Sequence, residues 1–393
     1  MIYDLVIVGS GPVALSCLLS APSNLKIAVI SHSDRGEYIR DSFGDKAYIN
    51  RYGGGLDAWH GVLSSNLFLK HYPDELDFYI KFFKFFYPEK NINNNLFGFQ
   101  KIFIPKKKIS SKNLNELLKE RTNIKLFFDE VLHIDESKVI NIYGKNEKYL
   151  SNRVILAAGA IGTAKILNNS QLGQINKFIG NHIIGYGQYN ISTNNEFVKS
   201  EYSRYGHFKN IEISSIKGKE FMSYQRPSLF DFRNSKILGK YKTVYSRTKK
   251  EIYSTIIKSM SPGLFAEAFY NRYGYWFKTN KANTYLQIES SNVYELDNKF
   301  NIIVSEKNIN LFVDNVVQNS KFNDLDIKTI VSGIHFFNTI NKISDVGSCS
   351  NKDDWQKKII VADSSVLKKI GGSHHTFSLM SMASLSMQRF YSN

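Results

Sequence analysis

The segment "YDLVIVGSGPVALSCLLSAPSNLKIAVISHS", Tyr3 to Ser33, constrains the fold of this chain more than any other. It reads as a strand over Leu5–Val8, a glycine turn, a helix, and a second strand over Lys26–Ile30. The unbroken apolar run of the first strand suits burial on both faces of a parallel sheet. Gly9 permits the sharp turn, Gly11 lets backbone approach a pyrophosphate, and Ala14 takes the small position where helix and strand pack closely. Pro12 opens the helix, whose first N–H groups and positive dipole end then point at phosphate. One element departs from the dinucleotide pattern. Where an acid should close the second strand and hold a ribose, the chain has Ser31, with Asp34 three residues on; a serine hydroxyl still bonds a sugar hydroxyl.

Further along, "INRYGGGLDAWHGVL", Ile49 to Leu63, places three glycines before Trp59 and His60. Such a loop brings backbone close to something flat or charged. Asp74 to Tyr87 is aromatic with Lys81 and Lys84 interspersed, and predicts a helix packed onto a sheet rather than one lying on a membrane. "NRVILAAGAIGTAKIL" gives a second buried strand, Val154 to Ala158, then Gly159 and a helix start. From Asn190 the pattern changes to strands and loops, including two alternating runs between Asn283 and Asn308 joined by an Asp-Asn turn signal. A helix over Asp324–Ile343 is expected to lead back to a last buried strand within Lys357–Leu367. After it come His374, His375 and a C-terminal helix starting near Thr376.

Composition bounds the partners. The net charge of +16 over 393 residues is spread along the chain, with no long basic arm, so it does not point to nucleic acid. An anionic or phosphate-bearing substrate accounts for it as well. Two cysteines, Cys17 and Cys349, make neither a disulfide framework nor a thiolate metal site, and no histidine spacing suggests a metal. The apolar stretch Leu5–Leu19 follows Asp4, lacks a basic leader and is broken by the glycine turn, so it does not read as a signal peptide. With no other membrane-spanning segment in the sequence, the expected location is cytoplasmic, without membrane contact.

Four pieces, in this order, resemble the glucose–methanol–choline (GMC) oxidoreductase family: "VIVGSGPVA", "GGGLDAWHG", "RVILAAGAIGTAKIL" and "VADSSVLKKIGGSHHTFSLMSMA". The hairpin "LQIESSN…NIIVS" is also similar to one in the family's substrate domain. The resemblance, that of a short and divergent member, implies an α/β fold with a doubly wound, Rossmann-like FAD-binding domain. Into it would be inserted an α+β substrate domain built on an antiparallel sheet. The corresponding boundaries are residues 1–72, 100–190 and 344–393 for FAD, and 73–99 and 191–343 for substrate. It implies that Gly9, Gly11, Pro12, Ala14 and Ser31 hold the dinucleotide, and that Gly54, Gly55 and Trp59 lie along the flavin. Ala158 and Gly159 would pass close to FAD, Asp363 would bond near its ribityl and pyrophosphate portion, and the helix at Thr376 would face the pyrimidine edge.

The family places a catalytic His or Asn, followed by Pro, before that helix. Here His374 stands at that position and His375 at the proline's. Oxidation of an alcohol needs a base for the hydroxyl proton as hydride leaves carbon, and neutral imidazole suits this at neutral pH. The implied activity is oxidation of a CH–OH group on a small molecule, of sugar or polyol type, with an electron acceptor that the sequence does not name. Two departures stand against the pattern. The upstream family histidine has no counterpart in "SDVGSCSNKDDWQKK", and His60 follows Trp59, the reverse of the order in members that attach FAD covalently there. The other histidines, His182 and His335 among them, read as isolated, although His182 lies near a family glycine segment. Two other readings stay open: a flavin-dependent reductase, isomerase or monooxygenase on the same scaffold, and a non-catalytic flavin-fold binding protein.

Overall fold

A computed structural model describes residues 1–33, 37–40, 46–56, 61–64, 73–88, 101–105, 107–190, 201–202, 205–210, 212–216, 219–227, 281–304, 326–332, 335–372 and 374–392, with isolated positions between 309 and 318. Trp59 and His60 lie outside the described residues. The elements that carry the site run in chain order as β1 (Leu5–Val8), α1 (Pro12–Ser20), β2 (Ile27–Ser31), α2 (Leu76–Phe86), β3 (Ile124–Phe128), β4 (Val154–Leu156) and α3 (Gly159–Asn169). They continue as β5 (Phe178–Asn190), β6 (Lys219–Pro227), β7 (Lys281–Leu296), β8 (Asp326–Ser332), β9 (Gly347–Ser348), β10 (Ile359–Val361) and α4 (Thr376–Ser392).

The first layer is a parallel sheet in the order β9-β10-β4-β1-β2-β3. Every residue of β1 is buried, as its continuous apolar run requires. Its alternating side chains serve two cores. Leu5 and Ile7 pack with α1 and α4 residues such as Leu15, Leu18, Met380 and Ala383, while Val6 and Val8 pack with Ile161 and Ala164 of α3. Helices therefore cover both faces, which makes the sheet doubly wound. Full burial of each such aliphatic side chain contributes about 1.5–3 kcal/mol. The crossover from β1 runs to β2 on one side, while β4 lies on the other, so the sheet changes direction at the β1/β4 boundary.

The second layer is antiparallel. Strand Glu212–Ile216 is followed across the sheet by β6, β7, β5 and β8, with Ile302–Val304 pairing the end of β7. Asp297 closes the turn between β7 and Ile302–Val304 by accepting from the backbone N–H groups of Lys299 and Asn301. This sheet begins at Phe178, within the segment whose sequence was assigned to the parallel-sheet half. The helix predicted over Asp324–Ile343 is a correction. Asp326–Ser332 is β8, paired to β5, and Ile340–Ile343 is a strand paired with Gly173–Ile175. Pairing to an existing sheet edge outweighed a helix-like apolar spacing there.

The aromatic segment after Pro73 folds as α2 and packs as its pattern predicts. Tyr79, Phe82 and Phe83 surround Phe377 at the start of α4, with ring centroids 5.2, 5.4 and 6.2 Å away. These contacts anchor the N-terminal end of α4, the element that follows the histidine pair. Among the described residues no helix is long and apolar enough to cross a membrane.

Candidate active site

The glycine turn after β1 is built as its sequence suggests. Gly9 has φ +111°, and a Cβ there would sit 2.2 Å from the carbonyl oxygen of Ala157, just beyond β4. No side chain other than glycine's fits. Around Gly11 the opposite holds: a Cβ would meet nothing within 4 Å, and the same is true of Gly55 and Gly159. The three-glycine loop lies against this turn, since a Cβ on Gly54 would come within 3.3 Å of Gly11 Cα. Neither α1 nor α3 has a side-chain cap at its N-terminus, where Gly11 and Ala158 are the N-cap residues. Both helices start at the carboxyl ends of adjacent parallel strands. Two sets of open backbone donors, with space at three glycines, fit the pyrophosphate of a dinucleotide such as FAD. Pro12 and Ala14 stand in the first turn of α1, Ala14 fully buried.

Ser31 is buried at the end of β2 and hydrogen-bonded within the chain. Its hydroxyl lies 2.6 Å from Ser10 Oγ and also donates to the carbonyl of His32, while Ser10 Oγ accepts from the N–H of Gly53 at 2.8 Å. Donor by donor, the chain runs from Gly53 through Ser10 and Ser31 to His32. Ser31 therefore ties the three-glycine loop to the glycine turn after β1.

Asp363 follows β10 and is buried, with its side chain accepting from Thr163 Oγ1 at 2.5 Å and from Ser365 N at 3.0 Å. Burial raises its pKa, opposed by the hydrogen bonds from Thr163 and Ser365. It thereby joins β10 to α3, at the same edge as the open glycines. The nearby segment 336–339 is fastened to this edge as well. Ser364 Oγ donates to Phe336 O at 2.6 Å, and Thr339 Oγ1 donates to Ala160 O at 2.7 Å.

The histidines form the second half of the site. His375 closes the first turn of α4 through its carbonyl, which accepts from Leu379 N. Its ring is 4 % exposed, and its Nδ1 is buried without a hydrogen-bond partner. His182 and His335, read from sequence as isolated, are brought against it. The ring centroids are 4.9 Å apart for His335–His375, 5.3 Å for His182–His375 and 5.3 Å for His182–His335. His182 comes from β5, and His335 follows β8, where its N–H donates to Asn181 Oδ1 at 2.8 Å. His374 is half-buried.

Electrostatics keep two of these rings neutral. Burial lowers the His182 pKa to about 3, partly countered by its bond to Gly371 O, with His374 lowering it further. Burial, then the neighbouring His335, His182 and His374, holds His375 well below the ordinary histidine range. His335, whose sequence context gives no sign of a partner, thus sits directly beside His375. Among the described residues no group of His, Cys, Asp or Glu has the geometry to hold a metal ion.

Comparisons with known proteins give the fold an independent check. No family model matches the chain, and no curated protein matches by sequence. Among solved structures it is similar to pyridoxine 4-oxidase from Mesorbium loti, with a TM-score of 0.53 and 9% identity, covering 100% of this chain and 99% of that one. It also aligns with formate oxidase from Aspergillus oryzae RIB40, in a structure concerned with FAD modification, at a TM-score of 0.46 and 11% identity, covering 100% and 99% of the two chains. The first likeness shows a mixed α/β fold with a parallel sheet of the Rossmann-like kind.

Proposed function

We propose that this chain is a divergent GMC-type flavoenzyme that binds FAD at the β1/β4 crevice and oxidises a CH–OH group on a small molecule. The observation that carries the proposal is the join between two built features. One is a dinucleotide cradle of open glycines and uncapped helix ends. The other is a cluster of imidazoles at the N-terminus of α4, tied to the cradle through Asp363 and segment 336–339.

In this reading Gly9, Gly11, Pro12, Ala14, Ala158 and Gly159 shape the pyrophosphate site, with Gly54 and Gly55 beside it. Asp363 supports α3, and the start of α4 at Thr376 lends its dipole to the redox end. Residues 73–99 and 191–343, with the antiparallel strands, supply the substrate side. FAD, when bound, would supply the hydride acceptor and a route for electrons to oxygen or another acceptor. The protein handles the proton. His374, the half-buried member, receives it from the substrate hydroxyl. Burial keeps His375 and His182 uncharged, so the ring that gains the proton faces no like charge from them.

The experiment is anaerobic bleaching of the protein's flavin by a panel of alcohols. The panel should hold sugars, polyols, acidic hydroxy compounds and pyridoxine, the last because the fold resembles that of an enzyme named for it. Stoichiometric bleaching by one compound class, with appearance of its carbonyl product, supports the reading. Flavin that no alcohol bleaches, but a reduced nicotinamide does, would move the chain to a reductase class.

A further inference from the structure

The antiparallel sheet sends three side chains to one short stretch of backbone just before the histidine pair. Glu289 Oε2 accepts from Ile370 N at 3.1 Å and from Gly371 N at 2.5 Å. Gln287 Nε2 donates to Gly372 O at 2.9 Å. His182 Nε2 lies 2.7 Å from Gly371 O, and because a carbonyl only accepts, that nitrogen carries the hydrogen. The three residues share one face of the sheet. His182 pairs directly with Glu289 across β5 and β7, and Gln287 is two residues from Glu289 on the same strand. Gln287 and His182 are fully or almost fully buried, and Gly371 has φ +74°, a conformation that favours glycine.

Such an arrangement has no counterpart among the needs of core packing. An apolar strand face would bury more area at lower cost, whereas polar side chains under a loop serve to hold backbone N–H and C=O groups in fixed places. We propose that Glu289, Gln287 and His182 are positioning residues: a clamp from the antiparallel sheet that sets the loop 370–372, and through it the imidazoles of His374 and His375. The inference rests on the functional reading above for what the imidazoles do, but not for whether the clamp holds them.

The test compares the purified protein with its Glu289→Ala and Glu289→Gln variants, each labelled with ¹⁵N-histidine. Glutamine keeps an acceptor oxygen near the two N–H groups, and alanine keeps none. The expected result is that Glu289→Ala shifts the ring-nitrogen signals of His374 and His375 and raises the reactivity of His375 toward diethyl pyrocarbonate, whereas Glu289→Gln stays close to wild type. With a bleaching alcohol in hand, Glu289→Ala should lower the rate of flavin reduction by about 10²-fold at saturating substrate, the scale of a small misplacement of reacting groups, with KM little changed. A role confined to stability would lower the thermal midpoint and leave the ring signals of the folded fraction in place, and that result overturns the proposal. So does a Glu289→Gln variant as perturbed as Glu289→Ala, since the grip on the two N–H groups would then not be the cause. If the wild-type protein takes up no FAD, the functional reading fails. The ring-nitrogen comparison on that same protein still decides the clamp.

Discussion

Acidification should weaken this fold through its buried imidazoles. His182 titrates near about 3 in the folded protein and His375 lies well below the ordinary histidine range, both chiefly because burial disfavours the charged ring. In the unfolded chain both titrate near ~6.5. The unfolded state therefore binds more protons between these limits, so stability is present above pH ~6.5 and is lost as pH falls toward the folded pKa. For His182 the slope approaches about 1.4 kcal/mol per pH unit once the unfolded histidine is protonated, and integration from pH 7 to pH 5 gives about 2 kcal/mol, with His375 adding in the same direction. His32, whose pKa burial also lowers, adds in the same direction. Asp363 works against it. Its pKa is raised in the folded state, so its cost is relieved as pH falls. The assay is urea unfolding at pH 7, 6 and 5, followed by circular dichroism at matched flavin content. His182→Gln, which keeps an N–H donor for Gly371 O but no titratable ring, should remove about 2 kcal/mol of that dependence. A wild-type midpoint that is flat from pH 7 to pH 5, or a His182→Gln variant with the full slope, would refute neutral burial of these rings.

Two glycine substitutions should separate fold from cofactor. Gly9→Ala forces a methyl against Ala157 at positive φ and should cost about 1–3 kcal/mol or more in urea unfolding, while Gly11→Ala has room and should leave the fold within about 1 kcal/mol but weaken FAD binding measured by titration. His374→Ala should slow anaerobic flavin reduction by an alcohol by about 10²- to 10⁴-fold while the flavin stays bound, read by stopped-flow absorbance. Thr163→Val removes a donor from buried Asp363 and should destabilise by about 1–3 kcal/mol in the same unfolding assay, with Thr163→Ser largely neutral.

How much of this was legible depended on whether the signal was local. The β1 turn, the strand and glycine before α3, and the histidine pair before α4 are each encoded within a few consecutive residues, and the fold places them as their sequence implies. His182 and His335 were not legible as a group. They reach His375 only because β5 and β8 pair within the antiparallel sheet and because segment 336–339 is bonded to α3 and to Ser364. One signal was present. Gln287 and Glu289 alternate with Leu286 and Ile288 along β7, His182 precedes Ile183 and Ile184 on β5, and polar residues need partners when buried. The error over 324–343 has a similar origin. "DIKTIVS" is rich in β-branched residues, and Gly333 follows it, both strand indications that a helical spacing of apolar residues obscured.

The central claim is that the open glycines and uncapped helix ends hold FAD in front of the histidine cluster. Its most direct test is the visible absorption spectrum of the purified protein, before and after incubation with FAD and removal of the excess, repeated on the supernatant after acid denaturation. The account predicts flavin bands that survive removal of the excess, are weakened in Gly11→Ala, and reappear in the supernatant when the protein is denatured. A folded protein that stays colourless after incubation with FAD would contradict it.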